Sequence, residues 1–291
     1  MLDAKLTLKS HPQHQTTVQL SEKVTVGGED ILVIGGPCAV ESWEQMEAVA
    51  SSLAMTPVQA LRGGVYKPRT SPYSFQGLGT EGLEILAGVS QRYGVPVVTE
   101  VMAIAQIEAI ATYADMLQIG SRNMQNFELL KAVGQAGKPV LLKRGLAATI
   151  EEFVMAAEYI MSHGNPQVVL CERGIRSFDN YTRNVLDLGA VVALKQLTHL
   201  PVMVDPSHAA GKRELVAPLA KAAVACGADG LIIECHPQPQ QSVSDARQAL
   251  SLEEMIDLVH TLRPVATSVG RRLAEMHPHF SLVPTVTAKS A

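Results

Sequence analysis

Two stretches at opposite ends of the chain decide the fold: Ile31-Leu32-Val33-Ile34-Gly35-Gly36-Pro37-Cys38 near the start and Leu231-Ile232-Ile233-Glu234-Cys235-His236-Pro237 near the end. Each is an apolar run followed at once by polar residues. Continuous apolar runs are typical of strands buried on both faces, as in parallel sheets. Cys38 and Glu234, which follow the two runs, are both potential metal ligands. A closed barrel would make the first and last strands neighbours, and these two ligands would then share one rim.

Between the two stretches, short apolar runs alternate with amphipathic segments of helical length. Six further runs are predicted as strands: 58–61, 95–98, 115–119, 139–142, 167–170 and 201–204. Helices are predicted near 42–55, 80–92, 103–112, 126–135, 149–162, 186–197, 213–225 and 251–262. Eight strands alternating with eight helices favour an α/β fold of the closed (β/α)8 TIM-barrel type over an open doubly wound sheet.

The chain divides into three predicted segments. Residues 1–30 form an N-terminal extension, in which 17–20 and 23–26 are expected to pair as a β-hairpin. Residues 31–265 form the barrel, and its size fits a single domain. Residues 266–291 form a C-terminal tail that shows little periodicity and is expected to be partly disordered.

Composition excludes several classes of function. Hydrophobic residues make up 47% of the chain and aromatic residues only 4%, which indicates a core of Val, Ile, Leu and Ala. A net charge of −4 gives no electrostatic reason to expect nucleic acid or a membrane surface as partner. The polar start lacks a signal-peptide core, and no apolar stretch is long enough to span a membrane. The four cysteines show no close-paired spacing, so we expect reduced thiols and a cytoplasmic protein.

The predicted strand ends carry an unusual number of cations for an acidic protein. In such barrels, chemistry gathers where strands end. Arg presents a planar fork that suits carboxylate and phosphate oxygens, and Lys adds a point charge. We therefore predict that an anionic substrate lies among them, although a structural network with Glu100, Glu172 and Asp205 is the alternative. The cations at or after these strand ends include Arg62, Lys67, Arg69, Arg122, Lys143 and Arg173.

In the predicted barrel, four potential ligands would converge on the seam between the seventh, eighth and first strands. They are Cys38, His208, Glu234 and Asp245. A thiolate, an imidazole and two carboxylates form a mixed soft and hard set, which suits a first-row divalent ion better than Mg²⁺ or Ca²⁺. Metal on one side and cations on the other predict two substrates. One would be a small phosphorylated carboxylate, and the other would offer a carbonyl for the metal to polarise.

Seven motifs lie at these strand ends: Gly35–Glu41, Leu61–Thr70, Gly120–Asn126, Leu142–Gly145, Cys171–Gly174, Asp205–His208 and Glu234–Pro237. They resemble the motifs of 3-deoxy-D-arabino-heptulosonate 7-phosphate (DAHP) synthase, in its short microbial subfamily (type I beta). The resemblance runs from about residue 30 to residue 264.

The resemblance implies condensation of phosphoenolpyruvate with erythrose 4-phosphate to give DAHP and phosphate, the first step of the shikimate pathway of aromatic amino-acid biosynthesis. By motif position, the divalent metal would be held by Cys38, His208, Glu234 and Asp245. Phosphoenolpyruvate would be bound by Arg62, Lys67, Arg122, Lys143 and Arg173. Arg69 and Thr70 would bind the aldose phosphate, and Lys67 and Glu100 are candidates for proton transfer and water placement.

The resemblance also implies a cofactor and partners. Mn²⁺ is the expected ion, with Fe²⁺, Co²⁺ and Zn²⁺ as alternatives. A homo-oligomer, dimer or tetramer, is expected, and a chorismate mutase is a candidate partner. Larger relatives carry an N-terminal regulatory or chorismate mutase domain, for which 30 residues are too few, so any feedback control is expected from a separate protein. Ser121 and Cys235 depart from the family pattern, which has Ala and Val there.

Three alternatives remain open from the sequence. The first is 3-deoxy-D-manno-octulosonate 8-phosphate synthase, which uses arabinose 5-phosphate; that family typically reads Lys-Ala-Asn-Arg where this chain reads Lys67-Pro68-Arg69-Thr70. The second is a Schiff-base aldolase that uses Lys67 or Lys143. The third is a barrel without activity that binds a partner.

Overall fold

Eight parallel strands close into a barrel in the computed structural model, which describes residues 3–69 and 71–275. Closure is made by β3 and β10, whose parallel pairing places Glu234 beside Gly36. The predicted TIM barrel is confirmed, and β3 to β10 are its strands. The strands are β1 (Val18–Gln19), β2 (Thr25–Val26), β3 (Asp30–Gly36), β4 (Ala60–Arg62), β5 (Val97–Val101), β6 (Met116–Ile119), β7 (Val140–Lys143), β8 (Val168–Glu172), β9 (Val202–Val204), β10 (Gly230–Glu234) and β11 (Arg272–Leu273).

Helices connect successive strands. They are α1 (Trp43–Leu53), α2 (Thr80–Tyr93), α3 (Ile107–Tyr113), α4 (Phe127–Gly134), α5 (Ile150–Ser162), α6 (Leu188–Leu197), α7 (Pro206–Ala210), α8 (Arg213–Ala225) and α9 (Leu252–Ser268). Capping boxes begin α5 at Thr149 and α9 at Ser251, where the side chain and the glutamate three residues later satisfy each other's backbone N–H groups. None of the helices in the described part of the chain is long and apolar enough to cross a membrane.

The N-terminal hairpin closes the bottom of the barrel. Its strands β1 and β2 pair antiparallel, as predicted. Alternate residues of the hairpin are buried, and they pack against the inward-facing side chains of the barrel strands, including Ile34, Met203 and Ile232. The buried hairpin residues are Val18, Leu20, Val24 and Val26. The hairpin therefore supplies one end of the barrel core and leaves the carboxyl ends of the strands open.

The first residues of the chain run along the outside of the barrel as an arm, residues 3–16. The Glu158 carboxylate on α5 accepts hydrogen bonds from the backbone N–H groups of Lys5, Leu6 and Thr7. The backbone N–H of Lys9 donates to the carbonyl of Leu197 at the end of α6. These contacts hold the arm against two helices of the barrel.

The last described residues return to the first barrel strand. Strand β11 pairs in parallel with the start of β3, Arg272 beside Asp30 and Leu273 beside Ile31. This strand lies in the segment predicted as a loose tail and was not predicted. Residues 276–291 of that predicted tail lie outside the described residues.

Candidate active site

A cavity of about 530 Å³ opens where the barrel strands end. Most residues predicted for the site line it. They are Cys38, Arg62, Lys67, Arg69, Glu100, Arg122, Lys143, Arg173, His208 and Asp245. Glu234 is fully buried beside the cavity, against His208. Thr70, the remaining predicted residue, lies outside the described residues.

The four predicted metal ligands meet on one side of this cavity. One ligand atom from each of Cys38, His208, Glu234 and Asp245 lies within 4.8 Å of all the others. The Cys38 Sγ is 3.2 Å from Asp245 Oδ2, and His208 Nε2 is 3.2 Å from Glu234 Oε1 and 3.7 Å from Asp245 Oδ2. Strand closure brings these atoms together, because β3 carries Cys38 just beyond its end and β10 ends in Glu234.

His208 is oriented by the residue that begins its helix. Asp205 caps α7 by accepting the backbone N–H of His208, and its Oδ2 lies 2.7 Å from His208 Nδ1. This leaves Nε2 facing the cluster, the arrangement in which a metal-binding histidine is normally held. Burial disfavours the imidazolium, but the carboxylates of Asp205 and Glu234 outweigh it and raise the pKa of His208 to about 10. The cluster thus attracts positive charge.

The cluster fits a divalent cation. Glu234 Oε1 is buried with no hydrogen-bond partner among the described residues, although the Arg62 guanidinium lies 3.2 Å away. A buried oxygen in this condition is costly unless something completes its coordination. Thiolate, imidazole and carboxylate donors together match first-row divalent ions.

Two glycines permit the close approach of β3 and β4 at the site. Gly36 has φ +143°, and a Cβ there would come 2.2 Å from the carbonyl oxygen of Arg62. A Cβ at Gly64 would lie 2.8 Å from the carbonyl oxygen of Cys38 and 2.9 Å from Lys67 Nζ. The space at Gly64 lets the Lys67 ammonium donate to the Cys38 carbonyl at 2.5 Å and lie 3.0 Å from Cys38 Sγ.

The guanidinium groups of the cavity are only partly paired within the protein. Arg62 is 4% exposed, and its Nε and Nη1 have no hydrogen-bond partner in the described part of the chain. The same holds for Nη1 of Arg173, whose pKa is lowered by burial. Buried donors without acceptors point to an anion that would complete them. Arg122 is exposed at the rim, on a short 3₁₀ helix over Ser121–Asn123.

The alternative of a purely structural network applies to some of the charges. Lys143 Nζ lies 2.5 Å from Asp205 Oδ2, so this cation is paired within the protein. Glu172 pairs at 2.9 Å with Arg144, which also contacts Asp187 and so has a structural role. The Glu172 carboxylate is thus in direct contact with Arg144 rather than with Arg62 or Arg173.

Glu100 lies on β5 and lines the cavity. Its Oε2 accepts a hydrogen bond of 3.3 Å from Gln118 on the neighbouring strand. A Cβ at Gly120 would come within 2.0 Å of Glu100 Oε1, so a side chain at this position would require the Glu100 carboxylate to move. Gly120 opens the motif that includes Ser121, and Ser121 also lines the cavity.

Several polar residues around the cluster could not be predicted from the sequence. Arg183 lies 3.0 Å from Asp245 Oδ1, and Gln248 donates to Glu234 Oε2 at 2.6 Å. Ser244 Oγ lies 3.1 Å from Cys38 Sγ. These residues come from irregular loops, where no periodicity indicates the direction of a side chain.

Comparison with known proteins gives the same assignment. The sequence model of the DAHP synthetase I family matches residues 15–270. The phospho-2-dehydro-3-deoxyheptonate aldolase of Thermotoga maritima is 49% identical over 260 residues, which are 89% of this chain and 76% of that protein. The 2-dehydro-3-deoxyphosphooctonate aldolase of Syntrophotalea carbinolica is 33% identical over 257 residues, 82% of this chain and 92% of that protein.

Solved structures agree with the sequence comparison. The crystal structure of the T. maritima DAHP synthase superposes with a TM-score of 0.90 at 45% identity, covering 94% of this chain and 79% of that one. A truncated form of the same synthase gives a TM-score of 0.86 at 43% identity, covering 92% of this chain and 98% of that one. With its barrel, its ligand cluster and its cationic cavity, this chain belongs to the DAHP synthetase I family.

Proposed function

We propose that this protein condenses phosphoenolpyruvate with erythrose 4-phosphate to give DAHP and phosphate, the first step of the shikimate pathway. The observation that carries the proposal is the location of a metal-ligand cluster and unpaired guanidinium nitrogens in one cavity. Membership of the family supports the same reaction.

Cys38, His208, Glu234 and Asp245 would hold the divalent ion. A divalent ion bound there supplies Lewis-acid polarisation of the aldehyde carbonyl. Mn²⁺ is our proposed ion, as the family resemblance implies, and Fe²⁺, Co²⁺ and Zn²⁺ are the alternatives. The mixed thiolate, imidazole and carboxylate donors fit a first-row divalent ion. His208 would coordinate through Nε2, since Nδ1 is paired with Asp205.

Phosphoenolpyruvate carries a carboxylate and a phosphate, and the cavity offers cations for both. Arg62 and Arg173 would use their unpaired nitrogens, with Lys67, Lys143 and Arg122 around them. Fixed cations of this kind also stabilise the negative charge that collects on the departing phosphate. Because they are already in place, little reorganisation accompanies the reaction.

The aldose phosphate would bind at Arg69. Its Nε donates to the carbonyl of Phe75 at 3.0 Å, which fixes the guanidinium plane, while its Nη2 has no partner among the residues described. Thr70 would add a hydroxyl contact. Ser71 and Ser74 line the same part of the cavity, so the loop that follows β4 is polar where the phosphate would lie.

Lys67 and Glu100 would handle protons and water. The Lys67 ammonium lies next to the cluster of metal ligands, in contact with Cys38 Sγ. From there it would donate a proton to the aldehyde oxygen as the new carbon–carbon bond forms. Glu100 enters the same cavity from β5 and would orient the water that adds to the cationic carbon of the former enol. Phosphate then leaves from that carbon.

The alternatives are less well supported. Identity to the octulosonate aldolase is 33%, against 49% to the heptonate aldolase. A Schiff-base mechanism needs a free amine, whereas Lys143 is ion-paired with Asp205 and Lys67 donates to Cys38.

The decisive experiment is an assay of the purified protein with two aldoses, with and without chelator. We expect DAHP from erythrose 4-phosphate, a much lower rate with arabinose 5-phosphate, loss of activity with chelator and recovery with Mn²⁺. Equal rates with both aldoses would instead assign the octulosonate reaction. Full turnover by metal-free protein, or covalent trapping of substrate by borohydride, would refute the metal-dependent mechanism.

A further inference from the structure

Arg183 and Gln248 connect the two metal-ligand carboxylates from outside the ligand set. Arg183 Nη1 donates to Asp245 Oδ1 at 3.0 Å and to Gln248 Oε1 at 3.0 Å. Gln248 Nε2 in turn donates to Glu234 Oε2 at 2.6 Å. A single guanidinium nitrogen thus reaches both carboxylates, one directly and one through an amide.

These contacts use one oxygen of each carboxylate and leave the other for the cluster. Asp245 Oδ1 is held by Arg183, while Oδ2 faces Cys38 Sγ and His208 Nε2. Glu234 Oε2 is held by Gln248, while Oε1 faces His208 Nε2. Each carboxylate is therefore presented to a metal through a single oxygen.

The direction of the chain of hydrogen bonds is set by chemistry. A guanidinium can only donate, so the Gln248 oxygen must accept from Arg183 and its nitrogen is left to donate to Glu234. Gln248 is 2% exposed and its contact to Glu234 is buried, so water has little access to replace that contact. An apolar residue at 248 would leave Glu234 Oε2 without this donor, and only the contacts of Oε1 would then orient the carboxylate.

Asp245 needs such support more than the other ligands. Its φ is +56°, and it is the single non-glycine residue with positive φ among the residues that the structure describes. This conformation is sparsely populated and is kept only where surrounding contacts fix it. Arg183 supplies a contact from the loop between β8 and α6, far from Asp245 in sequence.

We propose that Arg183 and Gln248 are positioning residues that set the orientation of Asp245 and Glu234 and thereby the affinity of the site for its metal. The inference rests on the proposed function only in requiring a divalent ion at this cluster. Arg183 and Gln248 do not contact the ion in this proposal. Loss of such outer contacts in metal sites typically weakens metal binding about 10–100-fold.

The test is a titration of the metal-depleted protein with Co²⁺. Calorimetry measures the dissociation constant, and the absorption spectrum reports binding of Co²⁺ to the Cys38 thiolate. Arg183→Ala and Gln248→Leu should each raise the Co²⁺ dissociation constant about 10–100-fold and alter the Co²⁺ spectrum. The double variant should bind Co²⁺ more weakly than either single variant, because Arg183 holds Asp245 directly and Gln248 holds Glu234. The loss should be smaller than the product of the two single effects, because Arg183 and Gln248 also contact each other.

Arg247→Ala is the matched control, because Arg247 is an exposed arginine beside Gln248 whose side chain takes no part in these contacts. It should bind Co²⁺ like the unaltered protein. Thermal unfolding of each metal-free variant separates loss of affinity from loss of fold. Gln248→Leu, of similar size, serves as the second probe if Arg183→Ala unfolds.

The outcomes separate the two proposals. Suppose that the unaltered protein binds Co²⁺ through Cys38, and that both variants have a Co²⁺ dissociation constant within twofold of its value and the same absorption spectrum. The positioning role is then refuted, and the proposed metal site stands. If the unaltered protein binds no Co²⁺ at the cluster, the proposed metal site fails and the positioning role fails with it.

Discussion

At the scale of single residues, Cys38 and Cys235 show how position decides the chemistry of a thiol. Cys38 Sγ lies 3.0 Å from the Lys67 ammonium and 3.2 Å from Asp245, at the edge of the cavity. Cys235 follows Glu234, and its side chain is buried in the apolar core, where burial raises the pKa of its thiol to about 12. Of these two thiols, only Cys38 lies among the other potential metal ligands.

Substitution of these two cysteines should separate ligand from core. We expect Cys38→Ala to abolish tight metal binding and to reduce turnover at least 100-fold, because one of four ligands is lost. Cys235→Val, the residue expected from the family pattern, should leave metal binding unchanged. Metal content by mass spectrometry and steady-state rates measure both; an undiminished Cys38→Ala enzyme would refute the ligand assignment.

Arg69 should govern affinity for the aldose. Arg69→Ala removes a charge-assisted phosphate contact worth roughly 1.5–3 kcal/mol, or about 10–150-fold in affinity. The change should appear mainly in the Michaelis constant for erythrose 4-phosphate and hardly in that for phosphoenolpyruvate. Arg176→Ala, an exposed arginine at the same cavity, is the comparison. If Arg69→Ala raised the Michaelis constant for phosphoenolpyruvate more than that for erythrose 4-phosphate, the two substrates would have to be assigned to the opposite subsites.

The sequence predicted those site residues that directly follow strands, because a parallel barrel collects strand ends at one rim. Arg183 and Gln248 lie within irregular loops, and only the folded backbone shows what they face. The role of Arg144 was also hidden. It stands beside Lys143 in sequence, yet it points to Glu172 and Asp187 rather than into the cavity.

At the scale of elements, the N-terminal hairpin contributes to the stability of the whole barrel. Val18 is fully buried against the barrel interior, while its neighbour Gln19 is exposed. Complete burial of a valine contributes roughly 1.5–3 kcal/mol. Val18→Ala should therefore lower the free energy of unfolding by about 1–3 kcal/mol, and Gln19→Ala should change it by less than about 0.5 kcal/mol. Urea denaturation measures both, and equal effects would show that the hairpin is not part of the barrel core.

The N-terminal arm should be released by acid. Burial alone would raise the pKa of Glu158, but hydrogen bonds from Lys5, Leu6 and Thr7 outweigh it and lower that pKa below its ordinary 4.5. A group whose pKa is lowered by folding stabilises the protein above its unfolded-state pKa and loses this effect as pH falls through the folded value. Attachment of the arm is thus complete at neutral pH and decreases below about pH 4.5.

In the Glu158→Gln variant, the N-terminal arm should be as weakly attached at neutral pH as it is in the unaltered protein at acid pH. Hydrogen exchange at the amides of Lys5, Leu6 and Thr7 should accelerate in this variant, because the neutral amide accepts these bonds less strongly. Glu151→Gln, at an exposed position at the start of α5, should leave the exchange unchanged. Unaltered exchange in Glu158→Gln would show that the arm is held by its contacts to α6 instead.

Strands and helices whose hydrophobic residues follow a clear pattern in the sequence were predictable. Elements that form only because of contacts with distant parts of the chain were not. The eight barrel strands are apolar runs that end in polar residues, and each was found within a few residues of its predicted place. The two-residue strand β11 exists only because β3 extends below the barrel to pair with it. Helix α9 continues to Ser268 through Pro264, normally an unfavourable residue in a helix, since Leu262 and Ala266 on either side are buried.

At the scale of the whole molecule, the metal should stabilise the contact between the first and the last strands of the barrel. Its ligands follow the first barrel strand and the last two, so a bound ion bridges the seam at which the barrel closes. An ion present at 100 times its dissociation constant stabilises the folded state by about 2.7 kcal/mol. We expect calorimetry to show a rise in melting temperature of about 5 °C on adding Mn²⁺, and no such rise in Cys38→Ala. An equal rise in that variant would place the stabilising ion elsewhere.

Closure of the barrel between β3 and β10 also determines when the barrel can form during translation, because β10 is synthesised long after β3. Roughly 200 residues separate Cys38 from Glu234, so a ribosome adding about 5–20 residues per second needs on the order of 10–40 s to deliver the second after the first. During that interval the nascent chain exposes the edge of β3, because the strand that covers it has not been made. The Cys38 thiol therefore has no partner ligand from β10 until that last barrel strand has been synthesised.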